Sequence, residues 1–396
     1  MKNSVNVIEI SHKFIKLVIG DYLDGKVSVS YVKKVPINGL LENGAIKDKD
    51  GLVAALTKLN PIEDESYQIN KLIDEAVVVL PPYGLEVYST SQLTSVISRE
   101  KIVGYQDIVN IYSIISNKKL PVNNELIDII PESFALENGE RYAVPPIGKI
   151  TRSIDVKANV FTLPKKINSD FSEVFERAGI KISHKVVSSY AVSEILSTYR
   201  NIPKKYFLID IGANTTSVSL IGDNGLVATR SFVWGGETIT ERIIECFNIN
   251  ENEAEKIKKI FGYDTREMKF AYPIAIDSVD GKKHYGKELN SIIAEAIDKF
   301  AGLAKVSMEQ LCSLYQVGTY KDLPIILVGG GSKLHGLLDY LKSKYQNENI
   351  ALVTPQTIGA RDTSLLAVLG AIAVHTKHPG IVEDINSSST PVNREE

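Results

Sequence analysis

A short loop at residues 210–216 carries side chains suited to holding a phosphate group. Its chemistry-bearing residues are Asp210, Gly212, Ala213, Asn214, Thr215 and Thr216. Gly212 lets the backbone approach a ligand closely, and consecutive N–H groups around a turn form a concavity that binds anions. Asp210 suits a hydrated Mg²⁺ ion, which commonly uses one or two carboxylates together with phosphate oxygens. An ordinary hairpin loop remains the alternative for this segment taken alone.

Three predicted strands position that loop. An apolar run at 206–211 predicts a buried strand, and alternation over 216–221 predicts the next. Asn224-Gly225 is a strong hairpin signal, followed by a third strand over 226–233. The loop therefore joins two strands of an antiparallel meander. Rossmann and P-loop sites lead from a strand into a helix, so neither is indicated.

The N-terminus repeats this arrangement, with strands predicted at 5–10, 14–20 and 26–35 and a hairpin signal at Asp24-Gly25. The copy is imperfect, because Glu9 and Ser11 stand where an Asp and a Gly are expected. Two similar halves, each with a loop that can face a phosphate, predict a nucleotide held in the cleft between them.

A glycine-rich turn supplies a third element. An apolar strand at 324–328 is followed by Gly329, Gly330, Gly331 and Ser332, and then by a helical pattern of leucines from Leu334. Glycines allow a flat adenosine to lie against the backbone, and Ser332 is a favourable N-cap for the expected helix. An ordinary strand-to-helix connection remains the alternative.

In combination, these motifs resemble the actin, Hsp70 and sugar-kinase superfamily, and within it the FtsA family of bacterial division proteins. The resemblance covers about residues 5–375. A pattern like DIGSSSVKTIVG, with which FtsA proteins open, fits residues 9–20 without a gap. It implies that Lys16 reaches the phosphates, whereas a solvated strand lysine is the alternative.

The resemblance adds further candidates for nucleotide binding. Gly235 and Gly236 match a glycine pair at the phosphate side of the cleft, although the acidic first turn after them also suits simple helix capping. Glu255 and Lys258 match positions near the ribose and adenine, whereas a solvated helix face is equally expected from their spacing. Asp210 and Glu9 are the predicted Mg²⁺ residues, acting through water.

Composition excludes several classes of protein. The net charge of −3 argues against a nucleic-acid binder, which would show a basic face. The two cysteines, Cys246 and Cys312, fit no metal-ligand spacing, and neither do the six histidines. We expect a cytoplasmic chain, because the first residues lack the features of a signal peptide and no apolar run is long enough to span a bilayer.

The resemblance implies an α/β, actin-like (ribonuclease H-like) duplicated fold with two large domains around a nucleotide cleft. The first domain is expected at 1–84 and 160–203, and the second at 204–237 and 305–378. An FtsA-type small subdomain at 85–159, containing the FtsA-like phrase Ile130-Pro131-Glu132-Ser133-Phe134, replaces the usual actin one. A second small subdomain is expected at 238–304, and a disordered tail at 379–396.

The function implied by the resemblance is an ATP- and Mg²⁺-binding, filament-forming adaptor that gathers FtsZ, through its C-terminal tail, at the membrane of the division site. Other divisome proteins are expected partners. The sequence shows no counterpart of the family's C-terminal membrane helix. We expect that the helix has been removed, and the alternative is that the protein reaches the membrane in another way. Ser188 and Ser189 stand where the ATP-hydrolysing branches carry a water-positioning Glu or Gln, so hydrolysis is expected to be slow at most.

Three alternatives stay open. A PilM-like pilus-assembly protein shares this fold and a similarly replaced subdomain. A sugar-kinase-like phosphotransferase would need a catalytic carboxylate and a sugar pocket, for which the sequence offers no convincing candidate. The altered loop with Glu9 and Ser11 also leaves open weak nucleotide binding or none.

Overall fold

The computed structural model describes residues 4–66, 69–264, 273–274, 281–380 and 382. The strands are β1 (Val5–Ile10), β2 (Phe14–Leu23), β3 (Lys26–Pro36), β4 (Leu41–Glu42), β5 (Ala45–Ile46), β6 (Ile62–Asp64), β7 (Ile69–Lys71), β8 (Glu75–Leu80), β9 (Glu86–Ser95), β10 (Asn124–Leu136), β11 (Arg141–Tyr142), β12 (Ser153–Pro164), β13 (Lys181–Val187), β14 (Tyr206–Ile211), β15 (Thr215–Gly222), β16 (Gly225–Val233), β17 (Pro273–Ile274), β18 (His284–Tyr285), β19 (Ile325–Val328) and β20 (Ile350–Leu352). The α-helices are α1 (Lys49–Leu59), α2 (Tyr105–Ser116), α3 (Lys165–Arg177), α4 (Ser188–Ser197), α5 (Gly236–Phe247), α6 (Glu251–Phe261), α7 (Gly286–Tyr315), α8 (Leu337–Tyr345) and α9 (Leu366–Lys377).

Two five-stranded sheets of the same topology form the framework. Their strand orders are β13-β8-β1-β2-β3 and β20-β19-β14-β15-β16. In each sheet an antiparallel meander is extended by two parallel strands, β8 and β13 in the first and β19 and β20 in the second. The duplication predicted from the hairpin motifs is therefore present in the sheets themselves.

The two hairpin loops are equivalent residue by residue. Ser11 N–H donates to the Phe14 carbonyl oxygen at 2.9 Å, and Gly212 N–H donates to that of Thr215 at 3.0 Å. The β1–β2 register ends at Ile10 opposite Ile15, and the β14–β15 register ends at Ile211 opposite Thr216. Each loop thus closes with the same backbone hydrogen bond at the same distance from its strands.

A four-stranded antiparallel sheet, ordered β11-β10-β12-β9, forms a separate layer with α2 packed on it. It has its own apolar core, which includes Ile108, Ile111, Phe134 and Val156. Its long strand β12 continues to Pro164, where α3 begins, so a unit boundary at 159 falls inside a continuous strand. Likewise α7 runs unbroken from Gly286 to Tyr315, through position 304.

The apolar helix α9 lies in a core to which both five-stranded sheets contribute. Every residue from Leu366 to Val374 is buried. The cluster around it includes Val18 and Leu17 of β2 together with Leu208 of β14 and Val328 of β19. Because this helix joins the two halves, its packing fixes how their loops face one another.

The turn after β19 differs from the sequence-based prediction. Residues Gly331–Lys333 form a 3₁₀ turn, and α8 begins only at Leu337, after Gly336 with a φ of 77°. The Ser332 hydroxyl donates to the Gly329 carbonyl oxygen at 2.7 Å. The prediction that Ser332 caps an immediately following helix is therefore wrong, because its side chain closes the glycine turn instead.

Gly370 allows α9 to approach α4 closely. A Cβ at this position would overlap the backbone of Ala191. Since neither helix can move without disturbing the core, we predict that Gly370→Ala lowers the free energy of unfolding by about 1–3 kcal/mol, the usual cost of overpacking.

Urea denaturation measures this effect. The matched control is Gly302→Ala in α7, where the added Cβ meets no atom within 4 Å. We expect the control to be neutral or stabilising by about 0.5–1 kcal/mol, because alanine favours the helix. Equal stabilities for the two variants would contradict the close packing of α4 and α9.

Candidate functional site

A cavity of about 550 Å³ lies between the two hairpin loops and the glycine turn. The predicted site residues that line it are Glu9, Lys16, Asp210, Gly212, Ala213, Asn214, Thr215, Thr216, Gly236, Glu255, Lys258, Gly329, Gly330 and Gly331. Gly235 and Ser332 do not line it. Residues from both sheets therefore meet at one cavity, although they lie far apart in sequence.

Lys16 is held across the cleft by two oxygen atoms. Its Nζ donates to Glu9 Oε1 at 2.9 Å and to the Ser364 carbonyl oxygen at 2.7 Å. Lys16 and Glu9 face each other in the β1–β2 register, and the lysine is only 6% exposed. The alternative of a solvated strand lysine is wrong, because this side chain is buried at the cavity wall.

The two carboxylates at the ends of β1 and β14 give the cavity its acidic floor. Burial raises the pKa of Asp210 to about 6, the negative charge of Glu9 adds to the increase, and Lys16 opposes it. Two oxygen atoms here, Glu9 Oε2 and Asn214 Oδ1, are buried and have no hydrogen-bond partner among the described residues. These oxygen atoms fit a hydrated divalent cation, since Mg²⁺ takes carboxylate oxygens, water and phosphate oxygens.

The described part of the chain holds no group of three or more His, Cys, Asp or Glu side chains arranged for a metal ion. A cation at Glu9 and Asp210 would therefore need water or ligand oxygens to complete its coordination. This arrangement is the usual one for Mg²⁺, which keeps several waters and binds through one or two carboxylates.

Gly235 and Gly236 seat the N-terminus of α5 on the second hairpin loop. Gly236 N–H donates to the Gly212 carbonyl oxygen at 3.0 Å, and Glu237 N–H donates to that of Ala213 at 2.8 Å. A Cβ on Gly235 would overlap the backbone of Ala213. Gly235 thus acts on the site through packing, whereas Gly236 lies at the cavity surface.

Lys258 of α6 is buried, where it pairs with the half-buried Glu255 of the same helix and contacts α5. Lys258 Nζ contacts the Glu255 carboxylate and also donates to Thr240 Oγ1 at 2.7 Å and to the Gly236 carbonyl oxygen at 3.0 Å. Burial alone would raise the pKa of Glu255, but the hydrogen bond from Lys258 and its charge lower it to about 2. The solvated helix face is wrong here, because Lys258 is 8% exposed.

The three glycines of the turn differ in what surrounds them. A Cβ on Gly329, whose φ is 85°, would overlap Asp210, and one on Gly331 would lie 2.5 Å from Ile211 Cγ2. A Cβ on Gly330 would meet no atom within 4 Å. Gly329 and Gly331 therefore allow the turn to pack on the second hairpin, while Gly330 faces open space.

Sequence reasoning missed several charged residues of the cavity. Lys34 Nζ and Lys333 Nζ lie 2.6 Å and 2.5 Å from the Asp362 carboxylate, which joins β3 to the glycine turn. Burial alone would raise the pKa of Asp362, but the hydrogen bonds from Lys333 and Lys34 hold it well below its usual range. Because Lys34 and Asp362 are 328 residues apart, no local pattern indicates their contact.

His12 and Lys13 of the first loop were also missed. Both side chains contact the carboxylate of Glu237 at the start of α5. His12 Nε2 lies 2.6 Å from one of its oxygens, and Lys13 Nζ lies 2.9 Å from the other. Burial alone would raise the pKa of Glu237, but these hydrogen bonds lower it to about 2. Helix capping alone therefore does not account for the acidic first turn of α5, because the Glu237 carboxylate binds the first hairpin loop.

His375, near the end of α9, belongs to a cluster with His184 and Asp128. His375 Nδ1 lies 3.3 Å from Nδ1 of His184, whose Nε2 is 2.8 Å from Asp128 Oδ2. Burial lowers the pKa of His375 to about 4. This cluster joins α9 to the four-stranded sheet and lies outside the cavity.

Comparison with known proteins relates the chain to a family of cell-division proteins. The family model described as Cell division protein FtsA matches residues 207–370. Proteins named Cell division protein FtsA from Enterococcus faecalis and Bacillus subtilis are each 24% identical to it, in alignments that cover 92% of this chain and 82% of each relative. The chain is therefore similar to FtsA proteins over nearly its whole length. The resemblance inferred from the loop motifs is confirmed.

Solved structures show the fold. A structure titled PilM-PilN type IV pilus biogenesis complex superposes with a TM-score of 0.61 at 17% identity, covering 93% of this chain and 97% of that one. MreB5 of Spiroplasma citri bound to ADP superposes with a TM-score of 0.54 at 12% identity, covering 98% and 99%. The predicted actin-like fold class is confirmed. Within the described residues, no helix combines the length and apolar character needed to cross a membrane.

The ion pair between His12 and Glu237 predicts a pH dependence of stability. The hydrogen bond to Glu237 raises the pKa of His12 above 6.5, so its contribution is complete below that pH and is lost as pH rises through the raised value. The depressed pKa of Glu237 means that its contribution is complete above about 4.5 and is lost as pH falls towards about 2. Both contributions are complete only between these two ordinary values.

We therefore expect His12→Gln to destabilise the chain more at about pH 5.5 than at about pH 8.5, as measured by urea denaturation at each pH. The exposed His335, whose ring nitrogen contacts the Tyr263 carbonyl oxygen, gives the control variant His335→Gln. The same loss for His12→Gln at both pH values would show that the charge of His12 contributes nothing.

Proposed function

We propose that the chain is an ATP-binding, filament-forming adaptor of cell division. The observation that carries this proposal is the cavity between two equivalent hairpin loops, in a chain that is similar to FtsA over nearly its whole length. The orphaned oxygens of Glu9 and Asn214 support it further, because buried polar atoms without partners mark places where a ligand or ion belongs.

ATP with Mg²⁺ would lie along the cavity lining. The Lys16 ammonium would bind phosphate oxygens, together with backbone N–H groups of the two hairpin loops other than those of Ser11 and Gly212, which close the loops. Glu9 and Asp210 would hold the Mg²⁺ ion through water, and the ion supplies charge neutralisation for the phosphates. Gly330 offers the flat, open surface that an adenosine needs, with Glu255 and Lys258 nearby. MreB5 of Spiroplasma citri, which shares this fold, has been solved bound to ADP.

Hydrolysis is proposed to be slow. Phosphoryl transfer to water requires a side chain that orients the attacking water. At the start of α4 the cavity is lined by Ser188, and the next residue, Ser189, is buried with no partner for its hydroxyl among the described residues. Neither serine can act as the general base that a Glu would provide. ATP would act mainly as a ligand that favours the closed, assembling conformation.

We assign the first large domain to 1–84 and 160–203 and the second to 204–237 and 305–378, with small subdomains at 85–159 and 238–304. The disordered tail predicted at 379–396 lies largely outside the described residues, but Val382 within it is buried in the core of the four-stranded sheet. In this division the subdomain at 85–159 contains β9, β10, β11, α2 and the first part of β12, and it would join neighbouring subunits in a filament.

The adaptor would gather FtsZ through residues 238–304 and would hold it, with other divisome proteins, at the inner face of the membrane at the division site. Membrane contact would come from a C-terminal amphipathic segment of the kind that the resemblance to FtsA implies. A PilM-like role in pilus assembly is the second candidate, because the PilM-PilN complex superposes well on this chain.

Binding of a labelled peptide copied from the C-terminal tail of FtsZ tests the adaptor role. We expect saturable binding, weakened at least about fivefold by Ile260→Asp, because this side chain is 65% exposed on α6 within 238–304 and a charge there disfavours an apolar contact. Fluorescence anisotropy measures the affinity.

The control variant is Leu314→Asp, since Leu314 is 61% exposed on α7 but lies outside 238–304. If both variants bind the peptide like the parent chain, FtsZ docks elsewhere. If the FtsZ peptide does not bind and a PilN peptide does, the pilus-assembly role replaces the adaptor role.

A further inference from the structure

The carboxylate of Glu237 occupies the place where the two hairpin loops meet. Its own backbone N–H donates to Ala213 of the second loop, and its side chain contacts His12 and Lys13 of the first. The carboxylate is 18% exposed, so it is largely enclosed by these partners. A single anionic group of the protein therefore bridges the two loops that would hold a phosphate chain.

His12 and Lys13 have the chemistry of phosphate ligands. A protonated imidazole and an ammonium donate charge-assisted hydrogen bonds to phosphate oxygens as readily as to a carboxylate. They occupy the positions equivalent to Ala213 and Asn214 of the second loop, where the duplicated topology places neutral residues. The first loop thus brings two cationic side chains to a place where the second loop offers only its backbone and an amide.

A phosphate chain and the Glu237 carboxylate compete for these donors, because the single N–H at His12 Nε2 can be donated to only one of them. Nζ of Lys13 and Nε2 of His12 are each directed at a Glu237 oxygen, and like charges repel strongly in a partly buried site. Lys13 has one other acidic neighbour within ion-pair distance among the described residues, Glu251 at 3.8 Å, which is largely exposed. Glu237 is therefore the group that a bound phosphate must displace.

We infer that Glu237 is an internal competitor for the phosphate chain of the nucleotide, and that His12 and Lys13 are the phosphate-binding side chains from which it is displaced. This inference rests on the proposed nucleotide-binding function. In the nucleotide-free chain, the Glu237 carboxylate therefore occupies the donors of the phosphate site. Nucleotide affinity then depends on replacing this carboxylate by a phosphate group.

The test compares the two sides of the same ion pair. Calorimetric titrations with ATP and with adenosine, both in Mg²⁺, are made on the full chain and on Glu237→Gln, Lys13→Gln and His12→Gln. We expect Glu237→Gln to bind ATP about fivefold more tightly or better, and the other two variants to bind it at least about fivefold more weakly. Adenosine, which lacks phosphates, should change by less than about twofold in all three.

A purely structural ion pair predicts a different pattern, because breaking it from either side would then change ATP binding in the same direction. That result, or an unchanged ATP affinity in Glu237→Gln, would overturn the inference. The matched control is Glu245→Gln, an exposed residue of α5 paired with Arg242, which should leave ATP binding unchanged. Thermal unfolding of each variant verifies that it is folded.

Failure of the proposed function gives a separate result. If neither the parent chain nor Glu237→Gln binds ATP saturably, the cavity is not an ATP site, and both proposals fall. If the parent binds ATP, and the Glu237 variant changes ATP affinity in the same direction as the His12 and Lys13 variants, only the competition by Glu237 is contradicted.

Discussion

Glu237 bridges the two hairpin loops across the cleft and so holds the two halves of the molecule together at the cavity. Each loop is closed by its own backbone hydrogen bond, so neither can move without distorting a five-stranded sheet. Glu237, Lys16 and Asp362 then tie residues of one half to residues of the other. Below them, α9 is buried in a core shared by both sheets, which fixes the separation of the loops.

The parts of the fold that follow from local patterns could be predicted from the sequence. The hairpins are specified by alternating apolar residues and by the turns at Asp24-Gly25 and Asn224-Gly225, whose glycines have φ values of 77° and 94°. The duplication was visible because both loops keep the same spacing. The N-cap role predicted for Ser332 was wrong, because a 3₁₀ turn and Gly336 lie between this residue and the start of α8. No short sequence pattern distinguishes that geometry from a helix that begins at once.

The sequence predicted the loops and turns that form the site. It did not predict the side-chain pairs that join residues far apart in sequence. Glycines and carboxylates near turns are visible in sequence, and most of those predicted line the cavity. Lys16 contacts Ser364, Lys34 contacts Asp362 and His12 contacts Glu237. Each of these partners lies more than 200 residues away in sequence, so only the folded chain brings them together. The charged first loop, with Glu9, His12 and Lys13, is also where this chain departs from the FtsA pattern.

Amide hydrogen exchange of the full chain, with and without Mg·ATP, shows whether a nucleotide is held between the two equivalent loops. Bound ligand slows the exchange of the amides that it contacts or orders. We predict that Mg·ATP slows amide exchange in three segments at once, 11–14, 212–216 and 329–331, which come from both halves of the molecule. Slower exchange in only one half, or no change in any of these segments at saturating ATP, would contradict it.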